Sequence, residues 1–274
     1  MAVTIADITK LRKMTGAGMM DCKKALTEAN NDIEAAIEII RAKGQAVAAK
    51  RSDREASEGC VLCKEENGFG AMIALKCETD FVANNADFVK LTQKILDLAV
   101  ANKCKTLDEV KALTMDGVTV AQAVTDRSGI TGEKMELDGY LTIEGSNISC
   151  YNHQGKNTLC TMVSLSENVP AEYGHGVAMQ IAAMNPVSIS EKDVPEDIRE
   201  KEFEIAKEKT REEGKPENMI ERIAQGRMNK FYKDSCLLNQ DYIMDATKTV
   251  AAFLKEANKA CTVVAFKRFT LRSE

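Results

Sequence analysis

The hydrophobic pattern of this chain changes its period near Glu58, and that change limits the folds available to it. Up to about residue 50 the apolar residues recur every three or four positions, as on an amphipathic helix. From Glu58 onward short apolar runs at residues 61–63 and 71–75 flank a turn at residues 66–68, which is typical of a β-hairpin. We therefore expect a helical module followed by domains that combine helices and strands.

Three short helices are predicted in the N-terminal part. Paired glycines at Gly16 and Gly18 separate the first helix from the second, because they favour a turn over a helix interior. Asp32 is a good N-cap for the third helix, and Gly44 is expected to end it. Residues 45–57 are polar and basic, so we expect a linker or an exposed helix there.

Two strand–loop–helix sequences follow the helical module. In the first, residues 78–85 form a polar loop between a strand that ends near Cys77 and a helix that begins near Ala86. In the second, residues 166–170 connect a strand to a helix that contains Val177. The similar order of elements indicates a weak internal duplication of an α+β unit.

A highly charged stretch is expected to form a helical hairpin. Residues 196–212 and 217–233 are rich in Glu, Lys and Arg, and a turn at residues 214–216 separates them. Helices with so narrow an apolar face cannot be buried on all sides, so the hairpin should project. The predicted fold class is α+β with antiparallel sheets. Its predicted domains are residues 1–54, 55–138 and 139–274, the last carrying the hairpin at about 191–233.

The composition argues against several classes of protein. The 274 residues include 37 Lys and Arg against 42 Asp and Glu, a formal net charge of −5, which is the wrong sign for binding phosphate backbones. Nowhere is there a run of about 18 apolar residues or a secretory signal. The nine cysteines, an odd number, fit reduced thiols. We expect a cytoplasmic protein without nucleic-acid or membrane partners.

Catalytic motifs are also missing from the sequence. The two histidines, His153 and His175, have no further ligand at metal-binding spacing, and no phosphate-loop, dinucleotide or nucleophile-elbow motif is present. We therefore expect a protein that binds another protein, with no covalent catalysis, cofactor, metal ion or small-molecule substrate. An alternative is a redox or metal protein that uses Cys60, Cys63 and Cys77. Residues three apart on a strand point to opposite faces, however, so Cys60 and Cys63 could not share a metal there.

The segment Thr79-Asp80-Phe81-Val82 has two interpretations. In one, Phe81 folds back onto the next turn and Asp80 caps the helix that follows. In the other, Phe81 is an exposed apolar ring beside an anion, and it enters a crevice of a partner as a binding hot spot.

Five stretches of this sequence resemble bacterial translation elongation factor Ts, in the order of that family. The two signature stretches are LRKMTGAGMMDCKKAL at residues 11–26 and ETDFV at residues 78–82. The others are NDIEAAIEIIRAKG in the third predicted helix, YNHQGK at residues 151–156 and MIERIAQGRMNKFYKDSCLLNQDYI at residues 219–243. The resemblance therefore covers essentially the whole chain.

The resemblance implies a fold, a function and a set of contacts. The fold would be a three-helix bundle like a ubiquitin-associated (UBA) domain, two α+β core subdomains and a coiled-coil arm. The function would be guanine-nucleotide exchange on the GTPase elongation factor Tu in its GDP form, through disturbance of its magnesium and phosphate site. The resemblance implies that Arg12, Met19 and Met20 contact the nucleotide domain of Tu. It places Thr79, Asp80, Phe81 and Val82 near the magnesium ion of Tu, and it implies contacts of His153 and Gly155 with a second Tu domain.

A different class of function remains open. A UBA-like adaptor would bind peptides or proteins through residues 4–44 alone and would have no exchange activity. A fragment ending at residue 54 that retained affinity for the partner would favour this alternative.

Overall fold

The computed structural model describes residues 2–271, and within them the fold is α+β, as the sequence predicts. Residues 2–62, 73–141 and 271 form one compact unit, and residues 63–72 and 142–270 form the other. The three-part domain division stays a prediction. In the described part of the chain no helix combines the length and the apolar character that crossing a membrane requires.

The first three helices confirm the predicted N-terminal module. They are α1 (Ile5–Thr15), α2 (Met19–Glu28) and α3 (Ile33–Lys50). Thr4 and Asp7 form a reciprocal capping box at the start of α1, and the Asp32 side chain accepts from the backbone N–H of Ala35 at the start of α3. A small apolar core joins the three helices through buried residues that include Ile8, Leu11, Cys22, Leu26 and Ala36.

The prediction that Gly44 ends the third helix is wrong, since α3 continues to Lys50. The physical reason is packing against a later helix, α7 (Val120–Thr131). A Cβ atom placed on Gly129 of α7 would lie only 2.1 Å from the Cα atom of Gly44. The two glycines therefore allow two helix backbones to approach closely, and Gly44 serves this contact inside the helix. The predicted linker is helical as far as Lys50 and turns at residues 51–54.

A predicted hairpin begins the first sheet. Asn67 and Gly68 have φ angles of 51° and 75°, the positive values that a tight hairpin turn requires at both central positions. The strand order is β1-β2-β5. The elements of this region, besides α7, are β1 (Glu58–Glu66), β2 (Phe69–Cys77), α4 (Asp80–Ala83), α5 (Ala86–Ala101), α6 (Leu107–Ala112), β3 (Thr114–Met115), β4 (Val118–Thr119) and β5 (Met135–Glu144).

The second sheet is antiparallel, with the strand order β10-β7-β6. Its elements are β6 (Ile148–Asn152), β7 (Leu159–Leu165), α8 (Ala171–Met184), β8 (Asp241–Tyr242), β9 (Asp245–Thr249), α11 (Val250–Ala257) and β10 (Val263–Thr270). An apolar core between the sheet and its helices contains Val163 of β7, Ile181 of α8 and Leu254 of α11.

The charged stretch forms two helices, α9 (Glu196–Glu212) and α10 (Ile220–Ser235), which pack against each other. Only Ala206 and Thr210 are buried on α9, and Ile220, Ala224 and Met228 are buried on α10. The apolar stripe of this hairpin is as narrow as the sequence predicts.

Candidate functional site

The segment that carries Phe81 is a one-turn helix with an exposed ring. Thr79 has extended backbone angles, and its side chain accepts from the backbone N–H of Val82, so Thr79 is the N-cap of α4. The Phe81 side chain is 86% exposed. The interpretation in which Phe81 folds back and Asp80 caps is therefore wrong, because Asp80 already lies in the first turn of α4.

A carboxylate from a distant part of the sequence holds the start of this turn. Glu133 Oε2 accepts from the backbone N–H groups of Glu78 and Thr79, both at 3.1 Å. Glu133 Oε1 accepts from Thr79 Oγ1 at 2.7 Å. One side chain thus satisfies three donors, two on the N-cap residue Thr79 and one on Glu78 before it.

The carboxylate of Glu78 makes the reverse contact, to the residue that follows Glu133 in the chain. Glu78 Oε1 accepts from the backbone N–H of Lys134 at 2.6 Å and from Arg51 Nη1 at 2.9 Å. Arg54 Nη1 lies 3.9 Å from Glu78 Oε2. The Lys134 N–H, and after it the Arg51 guanidinium, lower the pKa of Glu78 below its ordinary value. The end of β2, the start of β5 and the residues after α3 are joined through this carboxylate.

The far end of the turn is also fixed. Asn85 caps α5 by accepting from the backbone N–H of Asp87 at 2.9 Å. The same Asn85 Oδ1 accepts from Arg127 Nη2 of α7 at 3.2 Å. Side chains therefore hold both ends of the Phe81 turn, and the exposed ring stands on a backbone with little freedom.

The N-terminal candidates lie on two neighbouring helices. Arg12 on α1 is exposed, and Met19 and Met20 at the start of α2 are 50% and 66% exposed. Two adjacent positions on one helix cannot both face its core, and here both methionines are at least half exposed. Sequence reasoning missed Ile5 and Met14 of α1, which are 76% and 57% exposed. The spacing of Ile5, Ile8 and Leu11 predicts one apolar face of α1, and for Ile5 that prediction is wrong, because only Ile8 and Leu11 of these three are buried.

The His153 segment is a short turn after β6. Residues His153–Gly155 form a 3-10 turn in which Gln154 and Gly155 have φ angles of 53° and 66°. The Tyr151 hydroxyl and His153 Nδ1 are 3.2 Å apart, and both histidine rings meet the Tyr151 ring edge to face. His175 was not a candidate from the sequence, although it is the only other histidine.

The cysteine alternative loses two of its three residues. Burial raises the pKa of Cys60 to about 11 and that of Cys77 to about 12, whereas a reactive thiol needs a lowered pKa. Cys63 differs, because the thiols of Cys150 and then Cys160 lower its pKa. Within residues 2–271 no three His, Cys, Asp or Glu side chains are arranged to hold a metal ion.

Comparison with known proteins identifies the family. A family model described as Elongation factor TS matches residues 78–273. Proteins named elongation factor Ts from Bacteroides fragilis and Phocaeicola vulgatus are each 56% identical to this chain, with all of both sequences covered. The protein of that name from Porphyromonas gingivalis is 54% identical over 275 residues, again with full coverage. Since the model matches more than half of the chain and the relatives match it throughout, the chain belongs to the elongation factor Ts family.

Proposed function

We propose that this chain is the guanine-nucleotide exchange factor of the translational GTPase elongation factor Tu. Family membership implies this role in outline. The single observation that carries the finer proposal is the Phe81 ring, which is 86% exposed on a turn held at both ends. The chain acts by binding its partner and needs no covalent step.

An exposed ring on a rigid turn is suited to binding. Transfer of a phenylalanine side chain from water into an apolar crevice yields about 1.5–3 kcal/mol. Little of that gain is lost to ordering, because the hydrogen bonds of Glu133 and Asn85 already fix the backbone. Most of the free energy of ring burial therefore remains available to disturb the nucleotide site of the partner.

The proposed mechanism weakens the nucleotide site of the partner. Tu holds GDP through backbone amides and a magnesium ion that offsets phosphate charge. When Phe81 enters beside that site, it displaces the elements supporting the ion, and the Asp80 carboxylate adds negative charge nearby. Loss of about 4 kcal/mol of nucleotide binding raises the release rate about a thousandfold. Linkage requires GDP and magnesium to weaken binding of this chain by the same factor.

Two further contacts complete the proposal. Arg12, Met19 and Met20 bind the nucleotide domain of Tu, and the exposed methionine side chains adapt to an apolar partner surface. His153 and Gly155 bind a second Tu domain through the 3-10 turn after β6. The proposed partner is Tu in its GDP-bound and nucleotide-free forms, without nucleic acid, membrane or small-molecule substrate.

The test is the release of fluorescently labelled GDP from elongation factor Tu with and without this chain. We expect a large acceleration that saturates with chain concentration. A matched control is Met244→Ala, which removes a side chain that is 68% exposed and lies outside the proposed contacts. Binding to Tu without acceleration would favour the adaptor alternative and contradict exchange.

A further inference from the structure

The Phe81 turn is too short to hold its own conformation. The helix α4 has only four residues, whereas isolated helices need about 12–15 residues to be even marginally stable in water. The orientation of the ring must therefore come from groups outside the turn. Glu133 is the group that makes the largest set of these contacts at the start of the turn.

Glu133 is itself held in place. Gly132 ends α7 in the left-handed conformation with a φ of 75°, which directs the chain into Glu133. The buried Ser128 hydroxyl donates to the Glu133 carbonyl, and the Glu133 N–H donates to Thr131 Oγ1 at 3.3 Å. The backbone of Glu133 is thus tied to the last turn of α7.

The two carboxylates near the turn work as a reciprocal pair. Glu133 accepts from the N–H groups of Glu78 and Thr79, while Glu78 accepts from the N–H of Lys134, the residue after Glu133. Hydrogen bonds to a charged carboxylate are shorter and stronger than those between neutral groups. A shift of one segment therefore breaks bonds on both sides.

We propose that Glu133 is a positioning residue for nucleotide exchange, which aims the Phe81 ring by fixing the backbone at Glu78 and Thr79. This inference rests on the proposed function. Glu133 itself does not bind the partner in this account. Its removal should leave affinity for Tu nearly unchanged and slow the step in which GDP is released.

The experiment measures GDP release from Tu against the concentration of the full-length chain, which yields a maximal rate and a half-saturating concentration. Glu133→Ala should lower the maximal rate about tenfold and change the half-saturating concentration less than about twofold. Glu136→Ala is the matched control. Its half-exposed carboxylate pairs with Lys134 Nζ at 3.2 Å, and both constants should stay the same.

A conservative variant keeps the test valid if the alanine variant folds poorly. In Glu133→Gln the amide oxygen still accepts from the two N–H groups, and the amide nitrogen can donate to Thr79 Oγ1. The maximal rate should return to within about threefold of the unmodified chain. A well-folded glutamine variant as slow as the alanine variant would contradict positioning by these hydrogen bonds.

A double variant tests whether Glu133 acts through the ring. Glu133→Ala combined with Phe81→Ala should be no slower than Phe81→Ala alone, since the ring that Glu133 aims is already missing. If the double variant lowers the maximal rate by the product of the two single losses, Glu133 has a role separate from the ring, and the proposal is overturned.

Hydrogen exchange of the free chain separates this inference from the proposed function. The amides of Glu78 and Thr79 should exchange faster in Glu133→Ala and unchanged in Glu136→Ala. Unchanged hydrogen exchange in Glu133→Ala would overturn the positioning role, whatever the chain does to Tu. If hydrogen exchange is faster in Glu133→Ala but the unmodified chain does not accelerate GDP release from Tu, the proposed function fails, while the role of Glu133 in supporting the turn stands.

Discussion

Two connections between a strand and the following helix differ in what they expose to solvent. After β2, residues 78–85 contain the helix α4, whose Phe81 ring is 86% exposed. After β7, the described residues 166–170 have no helical turn, and Val169 packs against the apolar core of its own unit. Both connections lead into a helix, α5 in one case and α8 in the other.

The difference shows two ways of fixing a connection. Burial of Val169 in the core fixes the second connection, as is usual for an apolar side chain. In the first connection the carboxylates of Glu78 and Glu133 fix the backbone, and the apolar ring stays free. The architecture therefore does not require an exposed ring, and its presence in only one of the two connections supports a role in binding.

The largest expected effect is a difference in the free energy of unfolding between two phenylalanine variants, one in the first connection and one in the helix that follows it. Phe88 on α5 is fully buried, at 0% exposure. Phe88→Ala should lower the free energy of unfolding by about 3–5 kcal/mol, because it removes a buried ring and leaves a cavity. Phe81→Ala should change it by less than about 0.5 kcal/mol. Urea unfolding of both variants measures the contrast, and equal losses would contradict the separation of core and binding residues.

A smaller effect is expected in the second connection. Val169→Ala should lower the free energy of unfolding by about 1 kcal/mol, since the side chain is only partly buried against the core. GDP release per folded molecule should stay the same, as measured with protein corrected for its folded fraction. A loss of GDP-release activity without a loss of stability would place Val169 in the binding surface and contradict the proposed difference between the two connections.

The smallest effect is a dependence on pH that belongs to the first connection. The folded state lowers the pKa of Glu78 below its ordinary value of 4.5, so the charged carboxylate stabilises the fold above that pH. This contribution, about 1 kcal/mol or less for a pair near the surface, should be lost as the pH falls through the folded pKa.

Glu78→Gln tests this dependence by urea unfolding at pH 7 and below pH 4. The free energy of unfolding of the unmodified chain should exceed that of the variant at pH 7, and this difference should decrease as the pH falls. The control is Glu172→Gln at the exposed start of α8. A difference in the free energy of unfolding that stays constant with pH would show that the charge on Glu78 does not support the turn.

Local sequence patterns predicted the features that depend on neighbouring residues. Apolar spacing, the Asp32 cap and the Asn67-Gly68 turn placed the first three helices and the hairpin correctly. The end of α3 was missed because Gly44 packs on Gly129 in a helix far away in the sequence. Glu133 was missed for the same reason, since its bonds to Glu78 and Thr79 join residues more than 50 positions apart. Such pairings leave no local periodicity to detect.

The most direct test of the central claim is the maximal rate of GDP release from elongation factor Tu with Phe81→Ala. We expect a well-folded variant whose maximal rate is about tenfold to a hundredfold below that of the unmodified chain, because about 1.5–3 kcal/mol of ring burial is lost. A variant that supports GDP release as fast as the unmodified chain at saturation would show that the Phe81 ring does not open the nucleotide site.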